Sequence, residues 1–175
     1  MSSTTPPNPP MPAGAQIGAG PIEFTSAVDR SMWNAVESLF FFNPRQSAWI
    51  ESIRDNVEQF GAPRIVERGE RIGLGIPERD AQFLFACDHS RQPPEPVGVV
   101  LYLRTAPHLL RILHLAVSPA YAEGGPLAAH GLTLRLVDEV RALGRRIAGV
   151  RRVQLPYRSR GLLPVIDRGN ARRAC

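Results

Sequence analysis

The stretch Leu110 to Tyr121 reads LRILHLAVSPAY, an apolar strand that empties into a Ser-Pro turn. A glycine-containing loop follows, and then the amphipathic run GLTLRLVDEVRALG from Gly131 to Gly144. In that run Leu132, Leu136, Val140, Leu143 and Ile147 recur at helical spacing, with Arg135, Asp138 and Arg145 on the other side and Arg135 and Glu139 spaced as an i,i+4 pair. A helix after a strand returns the chain to the same sheet, so RRVQLPYR (Arg151 to Arg158) is expected as a strand parallel to Leu109 to Val117. A strand that ends in glycines before a helix also gathers backbone N–H groups and the positive helix end at one point. A phosphate-bearing ligand suits such a place.

Upstream, AQFLFACDH (Ala81 to His89), VGVVLYLR (Val97 to Arg104) and LLRILHLAV (Leu109 to Val117) are separated by Pro-containing and polar turns, the pattern of an antiparallel meander. Arg64 to Asp80 is turn-rich and suggests a loose hairpin. Pro21 to Thr25 alternates like a short strand, and Met32, Trp33, Val36, Leu39 and Phe40 mark a first helix over Ala27 to Phe41. Asn43-Pro44 with Gln46 forms a cap signal for a second helix carrying Trp49, Ile50, Ile53, Val57 and Phe60, which Gly61 and Pro63 end. Met1 to Gly20, rich in Pro, Gly, Ser and Thr, is expected to be a disordered tail. At 175 residues the chain has material for one domain, 21–175.

The charge is uneven. From Arg141 onward ten arginines stand against one acid, Asp167, and the chain contains no lysine, which excludes Schiff-base chemistry. A basic C-terminal region suits an anionic cofactor, an acidic partner or nucleic acid; an arginine-rich solvated surface is an equal reading. Nucleic acid is the weaker option, because only Tyr157 interleaves an aromatic ring with those arginines. No apolar run reaches the ~20 residues of a membrane helix, and no secretory signal opens the chain, so a soluble, cytoplasmic protein with Cys87 and Cys175 as reduced thiols is expected. The histidines and cysteines show no metal-ligand spacing, and neither a G-x-S-x-G elbow nor a phosphate-loop motif is present. Gly73 and Gly75 form a G-x-G without the third glycine of a dinucleotide site. The run Phe40-Phe41-Phe42 reads as helix-end core, or as a hydrophobic lid or interface patch.

The strand LHLAVSPAY followed by the helix LVDEVRALGRR resembles the acyl-CoA-binding core of the GNAT N-acetyltransferase family. The element order is similar to that family's from about Pro21 to Tyr157. The resemblance implies an α/β (α+β) fold with a mixed central sheet and helices on both faces. It implies acetyl-CoA as the acyl donor, with Leu115, Ala116 and Val117 as main-chain contacts of the pantetheine arm. The family's pyrophosphate loop, Q/R-x-x-G-x-G/A, corresponds to AEGGPLAAHG, so that Gly124, Gly125, Ala129, His130 and Gly131 would approach the phosphates. This loop lacks the Arg/Gln lead, carries Glu123 and Pro126, and is about two residues longer than the pattern; His130 or Arg135 could supply the missing charge. The cofactor slot requires Leu109 to Val117 and Arg151 to Arg158 to splay apart instead of pairing along their whole length.

Beyond Tyr157 the family continues with an Asn-led helix carrying a tyrosine acid, echoed here only by Asn170-Ala171. Leu162 to Ile166 could instead form a shortened final strand. The proton-transfer candidates are His114, Glu123 and Tyr157. His114 reads more readily as a core histidine, Asp88 and His89 as turn residues, and Tyr121 as a side chain packed over the loop. Two functions follow: an acyl-CoA-dependent N-acyltransferase acting on a small-molecule or protein amine, or a catalytically inactive module of the same fold that binds partners through its basic C-terminal region. A homo-oligomer is left open.

Overall fold

The computed structural model describes residues 21–156 and 162–165. The expected tail Met1 to Gly20, Tyr157, Ile166, Asn170-Ala171 and Cys175 lie outside the described residues.

Six strands form the main sheet in the order β1-β5-β6-β7-β8-β9: β1 (Ile22–Thr25), β5 (Ala81–Asp88), β6 (Glu95–Ala106), β7 (Leu109–Val117), β8 (Arg152–Gln154) and β9 (Leu162–Pro164). Every neighbouring pair is antiparallel except β7 with β8, which is parallel as the intervening helix requires. A second, three-stranded antiparallel sheet has the order β2-β4-β3, from β2 (Val28–Asp29), β3 (Arg64–Arg68) and β4 (Arg71–Gly75). The fold is a mixed α+β sheet with helices on both faces. On one face α1 (Trp33–Phe40) and α2 (Ile50–Phe60) bury Val36, Leu39, Phe40 and Phe60 against Phe85, Val99, Leu101 and Leu113. On the other, α3 (Leu132–Arg146) buries Leu132, Leu136, Val137 and Val140 against Val100, Tyr102, Leu110 and Ile112. Alternate residues of β6 therefore serve opposite cores, which is why its apolar run is nearly continuous.

Several sequence boundaries move. The first helix begins at Trp33 instead of Ala27, because Val28 and Asp29 pair with Ile72 and Arg71, and the Asp29 carboxylate accepts from Ser31 N–H at 2.8 Å to start a single 3-10 turn, Arg30–Met32. Asn43 does cap the next segment by accepting from Arg45 N–H, but that segment is a 3-10 turn, Pro44–Trp49, and Gln46 does not reciprocate. Arg64 to Asp80 holds a regular hairpin closed at Gly69, whose φ is 64°. Arg135 lies over the Phe24 ring, 5.4 Å from its centroid, instead of pairing with Glu139. Strand β8 is three residues long, and the described part of Leu162 to Ile166 adds β9 at the sheet edge. Gly73 has a packing role: a Cβ there would sit 2.2 Å from Phe83 Cζ.

Candidate functional site

The parallel ladder between β7 and β8 covers only Leu109–Arg111 and Arg152–Gln154. Two features end it. The β6 ladder skips Leu113, passing from Ile112 opposite Tyr102 to His114 opposite Leu101, and such a bulge bends and twists the strand that carries it. On the other side β8 gives way to Leu155-Pro156, and proline brings no N–H to continue a ladder. The strands part, and a cavity of about 550 Å³ opens between them. Leu115, Ala116 and Val117 form one wall and Leu155, Pro156 and Leu163 another; the first turns of α3 contribute Thr133, Leu134 and Val137. The loop after β7 adds Ala122 and Glu123, and the α1–α2 connection adds Asn43, Arg45, Gln46 and Trp49.

Side-chain amides finish the parted edge of β7. Asn56 Nδ2 donates to the Leu113 carbonyl and Asn43 Nδ2 to the Val117 carbonyl, both at 2.8 Å and both buried. Because Ser118 N–H turns the other way, to Val97 O on β6, alternation directs the main-chain groups of Leu115 and Val117 toward the cavity edge. Asn56 is itself held by Arg111 Nη2 at 3.0 Å, and the Arg111 guanidinium lies over the Phe60 ring. Asn43, Asn56, Arg45 and Gln46 did not stand out in the sequence as site residues; the Asn43-Pro44 cap was visible, but only as a helix signal.

His114 does not line the cavity. Its ring is buried against Phe40, with centroids 4.7 Å apart, and its Nε2 lies 3.1 Å from Gln46 Nε2. The Gln46 amide nitrogen also donates to Phe40 O, so Gln46 ties the His114 ring to the end of α1. Burial lowers the imidazole pKa from 6.5 to about 4, and a hydrogen bond with the Phe40 main chain opposes this only in part. The ring is neutral at pH 7.

The loop from Ser118 to Gly131 is built from turns closed on itself. The N–H groups of Gly125, Leu127, Ala128, His130 and Gly131 donate to Ala122, Ala120, Gly125, Leu127 and Ala128 carbonyls at 2.8–3.1 Å. The expectation that these amides converge on one concavity is therefore corrected: local turn formation consumes them. Gly124, with φ 80°, faces open space, whereas a Cβ on Gly125 would meet the Pro119 and Ala120 carbonyls at 2.3 and 2.5 Å. The His130 ring is tilted against Tyr121, and Arg135 stays on Phe24, so neither enters the cavity lining.

Tyr121 anchors this loop. Its hydroxyl donates to Asp88 Oδ2 at 2.7 Å, with both residues 2% exposed. Burial raises the Asp88 pKa, but the Tyr121 hydroxyl, hydrogen bonds from Ser90 and the nearby Arg91 outweigh it and hold the carboxyl below its usual range. Burial first, and then Asp88, pushes the phenol well above its ordinary value. His89 instead pairs with Glu23 at 2.8 Å, and Cys87 beside them is a buried thiol raised to about 11, mainly by burial. Of the residues singled out by sequence, then, Leu115, Ala116, Val117 and Glu123 share one cavity. Gly124, Gly125, Ala129, His130 and Gly131 stand in the adjoining loop outside its lining, and Tyr157 lies outside the described residues. Among the described residues no cluster of His, Cys, Asp and Glu could hold a metal, and no helix is long and apolar enough to cross a membrane.

No protein-family model matches the sequence, and no curated protein matches it. Solved structures do. The chain is similar to an acetyltransferase from Streptococcus agalactiae, with 15% identity and a TM-score of 0.46 over 77% of this chain and 71% of that one. It is also similar to a putative acetyltransferase of the GNAT family from Desulfovibrio desulfuricans, with 19% identity and a TM-score of 0.40 over 76% and 71% of the two chains.

Proposed function

We propose that this chain transfers an acyl group, most simply acetyl, from CoA to an amine. The parting of β7 and β8 after three paired residues carries this reading, because it opens a slot with a strand edge on one side and an apolar wall on the other. A pantetheine arm is a thin chain with two amides, and main-chain groups at a strand edge bind such a chain as they would an added strand. In this reading Leu115 and Val117 supply the main-chain contacts, while Ala116, whose main chain faces β6, lines the wall. The amine nitrogen attacks the thioester carbonyl carbon, the C–N bond forms, the C–S bond breaks, and the CoA thiolate leaves and takes up a proton. The amine proton passes to water in the cavity; Glu123, at the start of the loop after β7, lies at the far end of the arm from the thioester in this reading. His114, neutral and packed away from the cavity, is assigned to hold β7 against the α1–α2 connection. Most of the rate would come from positioning.

A second reading, an inactive binding module of the same fold, is favoured by one observation: of the loop amides expected to hold phosphates, those of Gly125, His130 and Gly131 are already bonded within the loop. Calorimetric titration with acetyl-CoA and desulfo-CoA, followed by thiol release with a panel of amines, tests both. The transferase reading expects saturable binding and thiol release with at least one amine. Binding without release from any amine selects the module, and absence of binding overturns the transferase.

A further inference from the structure

We propose that Arg45, on the connection between α1 and α2, reads the anionic end of the ligand in the β7–β8 cavity, a task the loop after β7 does not perform here. The inference rests on the acyl-CoA reading above and concerns how the phosphates of that ligand are recognised.

Among the described residues Arg45 is the one guanidinium in the cavity lining. Its position is set by a buried neighbour. Asn43, 7% exposed, donates to Val117 O at the end of β7 and accepts from the Arg45 N–H at 3.1 Å, so the backbone of Arg45 is fixed two residues from the strand edge. From there the side chain crosses to the opposite wall, where Nη2 donates to the Glu123 carbonyl, at the start of the glycine loop. A guanidinium has five N–H donors in a planar fork; one carbonyl uses one of them and leaves the rest for the paired oxygens of a phosphate.

Other candidates among the described residues are committed elsewhere. Arg135 is stacked on Phe24, Arg141 is bonded to Asp138 and to the Pro164 carbonyl, and the N–H groups of Gly125, Leu127, Ala128, His130 and Gly131 serve loop carbonyls. Glu123 places a negative side chain at the same wall, so an anion arriving there needs a cation within reach. Arg45 is within reach of it because its guanidinium already touches the main chain of Glu123.

The test compares CoA with pantetheine, which lacks the phosphates, on the full chain by calorimetry. Arg45 is exposed, so its variants are expected to fold, and thermal unfolding checks this. Wild type should bind CoA more tightly than pantetheine, and the preference should shrink with added salt. Arg45→Gln should weaken CoA about tenfold and leave pantetheine unchanged, and Arg45→Lys should recover part of the loss. Equal weakening of both probes, or unchanged CoA affinity in Arg45→Gln, overturns the assignment while leaving the acyl-CoA reading standing. If wild type binds neither probe, the underlying reading fails and the inference with it.

Discussion

Removing the Tyr121 hydroxyl should loosen the loop that starts where β7 ends. In Tyr121→Phe the ring stays in the core, but the Asp88 carboxylate, 2% exposed, loses the donor at 2.7 Å and keeps Ser90 N–H at 2.8 Å. A hydrogen bond to a charged group contributes about 1.5–3 kcal/mol, and burial keeps water from replacing it, so a loss near 2 kcal/mol is expected at pH 7. With a urea slope of about 2 kcal/mol/M, the unfolding midpoint should fall by about 1 M.

The pH dependence gives the sharper check. Asp88 has a folded pKa below its unfolded value, so its stabilisation is present above the ordinary carboxylate pKa, near 4, and is lost as the pH falls through the folded value. Tyr121→Phe removes one of the bonds that hold that pKa down. The gap between wild type and variant should therefore shrink as the pH is taken well below 4. Urea titrations at both ends of this range measure it. A penalty under about 0.5 kcal/mol at pH 7 would refute the reasoning, as would a gap that is the same in acid.

Other outcomes follow from the same packing. For His114 the sign is the reverse of a stabilising charge: the unfolded imidazole binds a proton below 6.5 and the folded one only near 4, so wild type should lose up to about 3 kcal/mol between those pH values, and His114→Gln should flatten that part of a stability-against-pH curve. Gly73→Ala should cost about 1–3 kcal/mol in chemical denaturation through the clash with Phe83, and adding Phe83→Leu should return much of it. The two loop glycines should separate cleanly: Gly125→Val must displace the Pro119 and Ala120 carbonyls and should weaken CoA about tenfold, whereas Gly124→Asn, in open space with a left-handed φ that asparagine tolerates, should bind CoA like wild type.

Much of the sheet was legible because its signals are local. The run Leu109 to Val117 is the observed β7 to the residue, and the periodicity of Leu132, Leu136 and Val140 gave α3 and its buried face. What the sequence hid depends on partners far along the chain. Val28-Asp29 looks like the start of a helix and becomes strand because Ile72 and Arg71 arrive beside it. Gly124 and Gly125 look alike in a motif, yet only the fold shows that one faces open space and the other two backbone carbonyls. The parted strands could be named as a requirement but not located, since the skipped residue at Leu113 is a property of the β6 register and leaves no local mark. Asn43, Asn56 and Arg45 carry no motif at all.

Those asparagines explain how the chain can keep a cleft inside its sheet. A strand that parts from its neighbour leaves carbonyls without their ladder partners, and a buried carbonyl without a donor costs about 1–3 kcal/mol. In β7 the cost is met from the helical side: Asn56 of α2 donates to Leu113 O at the bulge, and Asn43 donates to Val117 O at the strand's end. The helix pair and its connection thus do for β7 what β8 does for Leu109–Arg111. Between these two carbonyls, Leu115 faces the same edge and lines the cavity. The cleft is in this sense a register-specific feature, since Asn43 and Asn56 meet alternate carbonyls only while the α1–α2 connection stays locked by Gln46 against His114 and Phe40. That lock gives a buried, neutral histidine a structural role beside the cavity, on the same connection whose Asn43 fixes Arg45 at the cavity wall.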